Sequence, residues 1–141
     1  MNCITVTFKV PFSNSEIELM VNAYKACALW SSISINEENE EEYSLDERYD
    51  FNDFTGYAAE IIEDDCKRFL ALAYNQHLID EDTDMELLGH NFWLNRNGHG
   101  AGFWDSPDIW GAKESKELDK LSQDFREAYI IELEDGRLDI M

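Results

Sequence analysis

Seventeen residues from Gly89 to Asp105, Gly-His-Asn-Phe-Trp-Leu-Asn-Arg-Asn-Gly-His-Gly-Ala-Gly-Phe-Trp-Asp, constrain the fold of this chain more than any other stretch. Four are large aromatics and four are glycines, so the segment must cover its rings and bend its backbone within a short length. Asn97-Gly98 is the dipeptide favoured by a type I′ turn, whose two central residues both have φ > 0. The spacing predicts an aromatic β-hairpin with Phe92 opposite Phe103, Leu94 opposite Ala101, and Trp93 and Trp104 on the second face. Both faces of such a hairpin are apolar, so other elements must cover both.

Ile4 to Val10 alternates apolar and polar residues, the mark of a half-buried strand, and Pro11 ends it. Ser15 with Glu18 reads as a capping box, and Ile17, Met20, Val21, Tyr24 and Ala28 fall on one stripe, which predicts a helix over about residues 16–31. A second helix is expected over about 54–77, from an N-cap at Asp53, with Phe54, Ala58, Ile61, Ile62, Asp65, Phe69 and Leu72 along its inner face. Thr83 and Glu86 predict a short helical turn closed by Gly89. Leu118, Leu121, Phe125 and Ala128 mark a third main helix, and Tyr129 to Leu133, Asp135-Gly136 and Leu138 to Ile140 a closing hairpin. The pattern is that of one α+β domain over residues 1–141. Three main helices are expected to pack on a small antiparallel sheet built from the N-terminal strand, the central aromatic hairpin and the C-terminal hairpin.

Charge is the second constraint. The 141 residues contain 31 Asp and Glu against 11 Lys and Arg, a formal net charge of −20. The excess is concentrated: Glu37 to Glu86 hold eighteen carboxylates against Arg48, Lys67 and Arg68, fifteen of the twenty net negative charges. Residues 36–53 read as an exposed, mobile acidic loop, since nine of them are acidic and no apolar period runs through them. Such a chain is not expected to bind nucleic acid, because affinity for phosphates comes from Lys and Arg displacing counterions. Its natural partner is basic.

The segment Gly89 to Asp105 resembles a motif, Gly-His-Asp-Phe-Trp-Leu-Thr-Arg-Asn-Gly-His-Gly-Ala-Gly-Phe-Trp-Asp, found in small acidic bacteriophage-encoded proteins of unassigned function. Asn91 and Asn95 stand here where that motif has Asp and Thr. A looser likeness covers Asp65 to Leu70 and Tyr129 to Ile140, and none covers residues 1 to about 50. The resemblance implies a phage origin and a shared fold, but no activity and no catalytic residue.

No catalytic residue, metal or cofactor is expected from the residues themselves. His90, His99 and Asp105 are metal-ligand types, yet the hairpin reading puts the two histidines at opposite ends of a strand, roughly 20 Å apart at the rise of a strand. Asp80 to Asp84 starts like a calcium loop but has Met85 where that loop needs Gly, and Asn91 where it needs a bidentate Glu. Asn97 to Gly102 lacks the Gly-Lys-Ser/Thr ending of a phosphate loop. Cys3, Cys27 and Cys66, odd in number, read as buried thiols of a reducing cytosol. No signal peptide and no long apolar run suggests export or membrane insertion.

The expected function is therefore binding. Glu37, Glu38, Glu40, Glu41, Glu42, Asp46, Glu47, Asp50, Glu60, Glu63, Asp64, Asp80, Glu81, Asp82 and Asp84 are the candidate partner-binding residues, imitating the phosphates that a basic nucleic-acid-binding host protein would hold. The competing reading is an ordinary solvated acidic surface. The expectation is a non-catalytic, phage-encoded DNA mimic acting in the host bacterial cytoplasm against a restriction or CRISPR component, with a homodimer left open. The alternative is an interaction module whose partner surface is the aromatic hairpin, with Trp93, Trp104 and Trp110 as anchors. Phe92, Trp93, Leu94, Asn97, Gly98, Phe103 and Trp104 are otherwise read as the structural hairpin.

Overall fold

The structure, a computed structural model, describes residues 10–98 and 102–141. The fold is α+β, and the described residues form five helices and two small antiparallel sheets of two strands each. In chain order these are α1 (Asn14–Ser31), β1 (Ile33–Ile35), β2 (Glu42–Ser44), two 3-10 turns (Leu45–Glu47 and Phe51–Asp53), α2 (Gly56–Asn75), α3 (Met85–Arg96), α4 (Pro107–Trp110), α5 (Ala112–Asp124), β3 (Ile130–Glu132) and β4 (Leu138–Ile140). The expected N-terminal strand lies outside the described residues.

α1 and α2 follow from their amphipathic patterns, with small shifts at their starts. α1 is capped by Ser13, whose hydroxyl accepts from the Glu16 amide while Glu16 reaches back to Ser13, so the capping box lies two residues before Ser15 and Glu18. α2 is capped by Thr55, not Asp53; the Thr55 hydroxyl accepts from the Ala58 amide at 3.0 Å. α5 begins at Ala112, earlier than the apolar period from Leu118 implies, and Phe125 and Ala128 lie beyond its end. The closing hairpin forms as expected, with Ile130 opposite Ile140 and Glu132 opposite Leu138. An isolated parallel bridge from Phe54 to Leu138, with the Thr55 amide donating to the Leu138 carbonyl at 2.8 Å, docks that hairpin on the start of α2.

The central aromatic hairpin is not formed. Met85–Arg96 is one continuous helix that carries Phe92, Trp93 and Leu94, and Asp84, not Thr83, caps it by accepting from the Leu87 amide. Asn97-Gly98 does not turn a hairpin; it ends this helix, with Gly98 at φ 66° in the left-handed position that follows a helix cap. Asn97 donates through Nδ2 to the Trp93 carbonyl and accepts at Oδ1 from the Ala128 amide, tying the helix end to the segment before β3. The two apolar faces that suggested a covered hairpin belong to a helix surrounded by its neighbours, for Asn91 to Arg96 are all buried.

Gly89 does not close a turn; it lies inside α3 at the crossing with α1. A Cβ there would lie 2.1 Å from the Met20 carbonyl oxygen, so only glycine lets the two backbones meet this closely. The core is built around α3. The Phe92 ring stacks on Phe69 of α2 at 4.2 Å and 12°, Phe103 stacks on the same Phe69 at 5.7 Å, and Tyr24 of α1 meets Phe92 and Trp93. Phe92 and Phe103 thus both pack against Phe69 of α2 without pairing across a hairpin. Trp93 is 2% exposed, its indole N–H donating to the Ser31 hydroxyl at 2.7 Å, whereas Trp104 is 52% exposed.

Two buried polar knots complete the frame. Arg96 donates to Asp65 Oδ2 (2.8 Å), to the Tyr24 hydroxyl (3.0 Å), and to the carbonyls of Phe125 and Arg126 (both 2.8 Å), so one guanidinium joins α1, α2, α3 and the end of α5. Asn95 accepts from the Phe103 amide at 2.9 Å and donates to Asp119 of α5. Cys27 and Cys66 are buried free thiols; burial pushes the Cys27 thiol up to about 12.

Candidate partner-binding surface

The acidic segment is folded, not a featureless loop. Its first part is the β1–β2 hairpin, in which Ile33 pairs with Ser44 and Ile35 with Glu42. Two asparagines shape the turn: Asn36 Oδ1 accepts from the Glu38 amide, and Asn39 Oδ1 accepts from the Glu41 amide. These are the local side-chain to backbone bonds that make Asn a turn residue. Glu40 takes φ 59°, and Glu37, Glu38, Glu40, Glu41 and Glu42 are all exposed. Asp46 and Glu47 sit on the first 3-10 turn, where Glu47 accepts from the Ser44 amide, and Asp50 caps the second by accepting from the Asn52 amide.

Glu60, Glu63 and Asp64 project from the solvent side of α2, while Asp65 points inward to Arg96. In the α2–α3 connection, Asp80 accepts from the Asp82 amide and Asp84 caps α3, leaving Glu81 and Asp82 in solvent. All fifteen candidate carboxylates are exposed. Among the described residues, Glu63 is the one of the fifteen in an ion pair, with Lys67 at 3.2 Å. They are not gathered into one cleft. Glu60 and Glu63 border a groove between α1 and α2, Asp80, Asp82 and Asp84 border a hollow against Ile109 and Trp110, and Glu37 and Glu38 border a third depression with Arg48.

That third depression contains a group the sequence reading passed over. Glu132 of β3 accepts from the hydroxyls of both Tyr43 and Tyr49 at 2.7 Å on one oxygen, and this fastens the acidic segment to the C-terminal hairpin. The Arg48 guanidinium lies 3.8 Å from the centroid of the Tyr43 ring. Partial burial alone would raise the Glu132 pKa, but hydrogen bonds from Ser34, Tyr43 and Tyr49, with Arg48 nearby, outweigh it and hold the carboxyl below its ordinary range. The same bond pushes the Tyr49 hydroxyl up to about 12. A carboxylate whose folded pKa is lowered stabilises the fold above its unfolded pKa, and that contribution is lost as pH falls through the folded value. Wild type should therefore melt above Glu132→Gln at pH 7, with the gap closing below about pH 4, near the reference carboxylate pKa. A gap that stays constant down to pH 3 would contradict this role.

The histidine candidates are dispersed. His90 is half-buried on α3, its ring stacked with Trp30 at 6.4 Å, and burial lowers its pKa. His99 lies outside the described residues. Asp105 accepts from the Gly102 amide at 3.1 Å. Among the described residues no group of three or more His, Cys, Asp or Glu side chains is placed to hold a metal, and no helix is long and apolar enough to cross a membrane. Of the three tryptophans expected as partner anchors, Trp93 is in the core, Trp110 is half-buried against Phe103, and Trp104 is exposed. No family model, curated protein or solved structure matches the chain.

Proposed function

We propose that this chain is a non-catalytic, phage-encoded inhibitor that occupies the basic nucleic-acid-binding cleft of a host defence or DNA-processing protein of restriction or CRISPR type, within the host bacterial cytoplasm. The supporting observation is the state of the carboxylates. All fifteen are exposed, and fourteen of them have no ion-pair partner among the described residues. Charge left uncompensated in this way repels itself and costs stability, and a basic partner relieves that cost on binding. Short hairpins, caps and a helix fix the backbone that carries the carboxylates, so little backbone ordering entropy remains to be lost on association.

Tagged protein incubated with host lysate at low salt should enrich a nucleic-acid-binding protein, and duplex DNA should displace it. A variant with Glu37, Glu38, Glu40, Glu41 and Glu42 all replaced by Gln should capture much less of the same protein. Capture that enriches no nucleic-acid-binding protein, or that survives those replacements and excess DNA, would remove this reading.

A further inference from the structure

α1 is apolar on the side where an exposed helix is ordinarily charged. Leu19, Ala23, Ala26 and Trp30 recur at intervals of four, three and four residues, which at 3.6 residues per turn forms one stripe along the helix. The core does not use this stripe: Leu19 is 46% and Trp30 58% exposed, Ala26 is exposed and Ala23 half-buried. Met20, Val21, Tyr24, Cys27 and Ala28 form the buried side. α1 therefore has a second apolar face that none of the described residues covers.

Beside that stripe runs α3, whose Leu87 and His90 form a shallow trough with Ala23 and Ala26. Trp30 stacks on His90 and stands at one end, and Leu19 lies a helical turn before Ala23 at the other. Ala23 and Ala26 leave space along the α1 side of this trough, and a shallow apolar trough between two helices is a surface that can receive the apolar face of an amphipathic helix. Its other lining residues, Asp84 and Glu86, are both acidic and exposed.

We infer that the trough between α1 and α3 docks an amphipathic helix of the partner, with apolar side chains against Ala23, Ala26, Leu87 and Trp30 and flanking Lys or Arg against Asp84 and Glu86. A second copy of this chain is a poor occupant, because it would bring acidic rim onto acidic rim between molecules of net charge −20. The inference rests on the reading that the partner is basic and adds where it is gripped: exposed carboxylates steer, and the trough supplies desolvated apolar contact.

The probe is a synthetic helical peptide with leucines on one face and lysines flanking them, beside a control of the same composition whose leucines are scattered around the helix. Titrated into the full chain, the patterned peptide should bind at least about tenfold tighter than the control, a difference of about 1.4 kcal/mol. Ala26→Glu obstructs the trough while adding a charge that attracts lysine, so it should abolish that preference without lowering the melting temperature. Trp30→Ser should weaken the patterned peptide alone. Equal binding of the two peptides to wild type, or an unchanged preference in Ala26→Glu, overturns the trough while leaving salt-dependent lysate capture intact. Self-association of wild type that Ala26→Glu abolishes also overturns it, by making a second copy the occupant. Preference for the patterned peptide without capture of any nucleic-acid-binding protein supports the trough and instead removes the proposed cleft target.

Discussion

Arg96→Met should destabilise the protein by about 3–5 kcal/mol, the usual consequence of removing one partner from a buried ion pair. The Arg96 side chain is 5% exposed and its partner Asp65 17%, so the carboxylate left behind would be largely desolvated. The Phe125 and Arg126 carbonyls and the Tyr24 hydroxyl would lose their donor in the same step. Arg68 reaches Asp65 at 3.5 Å but is itself exposed, so it compensates weakly. Arg96→Lys keeps the charge without the planar fork and should fall between wild type and Arg96→Met. Urea midpoints measure this, and a loss under about 1 kcal/mol for Arg96→Met would show that the knot is dispensable.

Gly89→Ala should cost at least about 2 kcal/mol, within the range for overpacking a close contact. The sign is informative, because alanine in a helix interior is favoured over glycine by about 1 kcal/mol when nothing is in the way. Here the new Cβ would meet the Met20 backbone at 2.1 Å for the carbonyl oxygen and 2.9 Å for the carbonyl carbon, so α1 must shift. That shift would disturb the tilted contact of Tyr24 with Phe92 and its edge-on contact with Trp93. A higher melting temperature in Gly89→Ala would contradict the close crossing of α1 and α3.

Elements that bury one face were legible in the sequence. α1 and α2 each bury one side and expose the other, and β4 alternates buried and half-buried residues beside the Asp135-Gly136 turn, so their patterns survive in the residue order. α3 was not legible, for two physical reasons. A helix buried on nearly all sides has no amphipathic period, and Phe92-Trp93-Leu94 fits a strand as well as a helix. Asn97-Gly98 supplies φ > 0 equally well to a hairpin turn and to a helix C-terminus, and choosing between them needs the packing of α3 against α1 and α5.

At the surface, the exposure of the candidate carboxylates follows from their charge alone, and it holds for all fifteen. Their distribution does not, since it depends on how Asn36 and Asn39 turn the β1–β2 chain and on the two tyrosines that fasten it to Glu132. Asp65 falls on the inner face of α2, where a carboxylate needs a partner, but Arg96 lies thirty-one residues away and sequence order cannot pair them. The outer stripe of α1 was present in the residue order, but only the packing of α1 against α3 shows that Leu19 and Trp30 stay exposed.

The most direct test of the account is the salt dependence of affinity for the captured partner, measured for wild type and for the variant with Glu37, Glu38, Glu40, Glu41 and Glu42 replaced by Gln. As the Debye length falls from about 8 Å at 0.15 M salt to about 3 Å at 1 M, exposed carboxylates that face a basic cleft lose most of their attraction. The wild-type affinity should fall steeply over that range, the variant should start weaker and fall less, and duplex DNA should compete with both. An affinity that barely changes with salt, or that falls equally in wild type and variant, would contradict the claim that these carboxylates hold the partner.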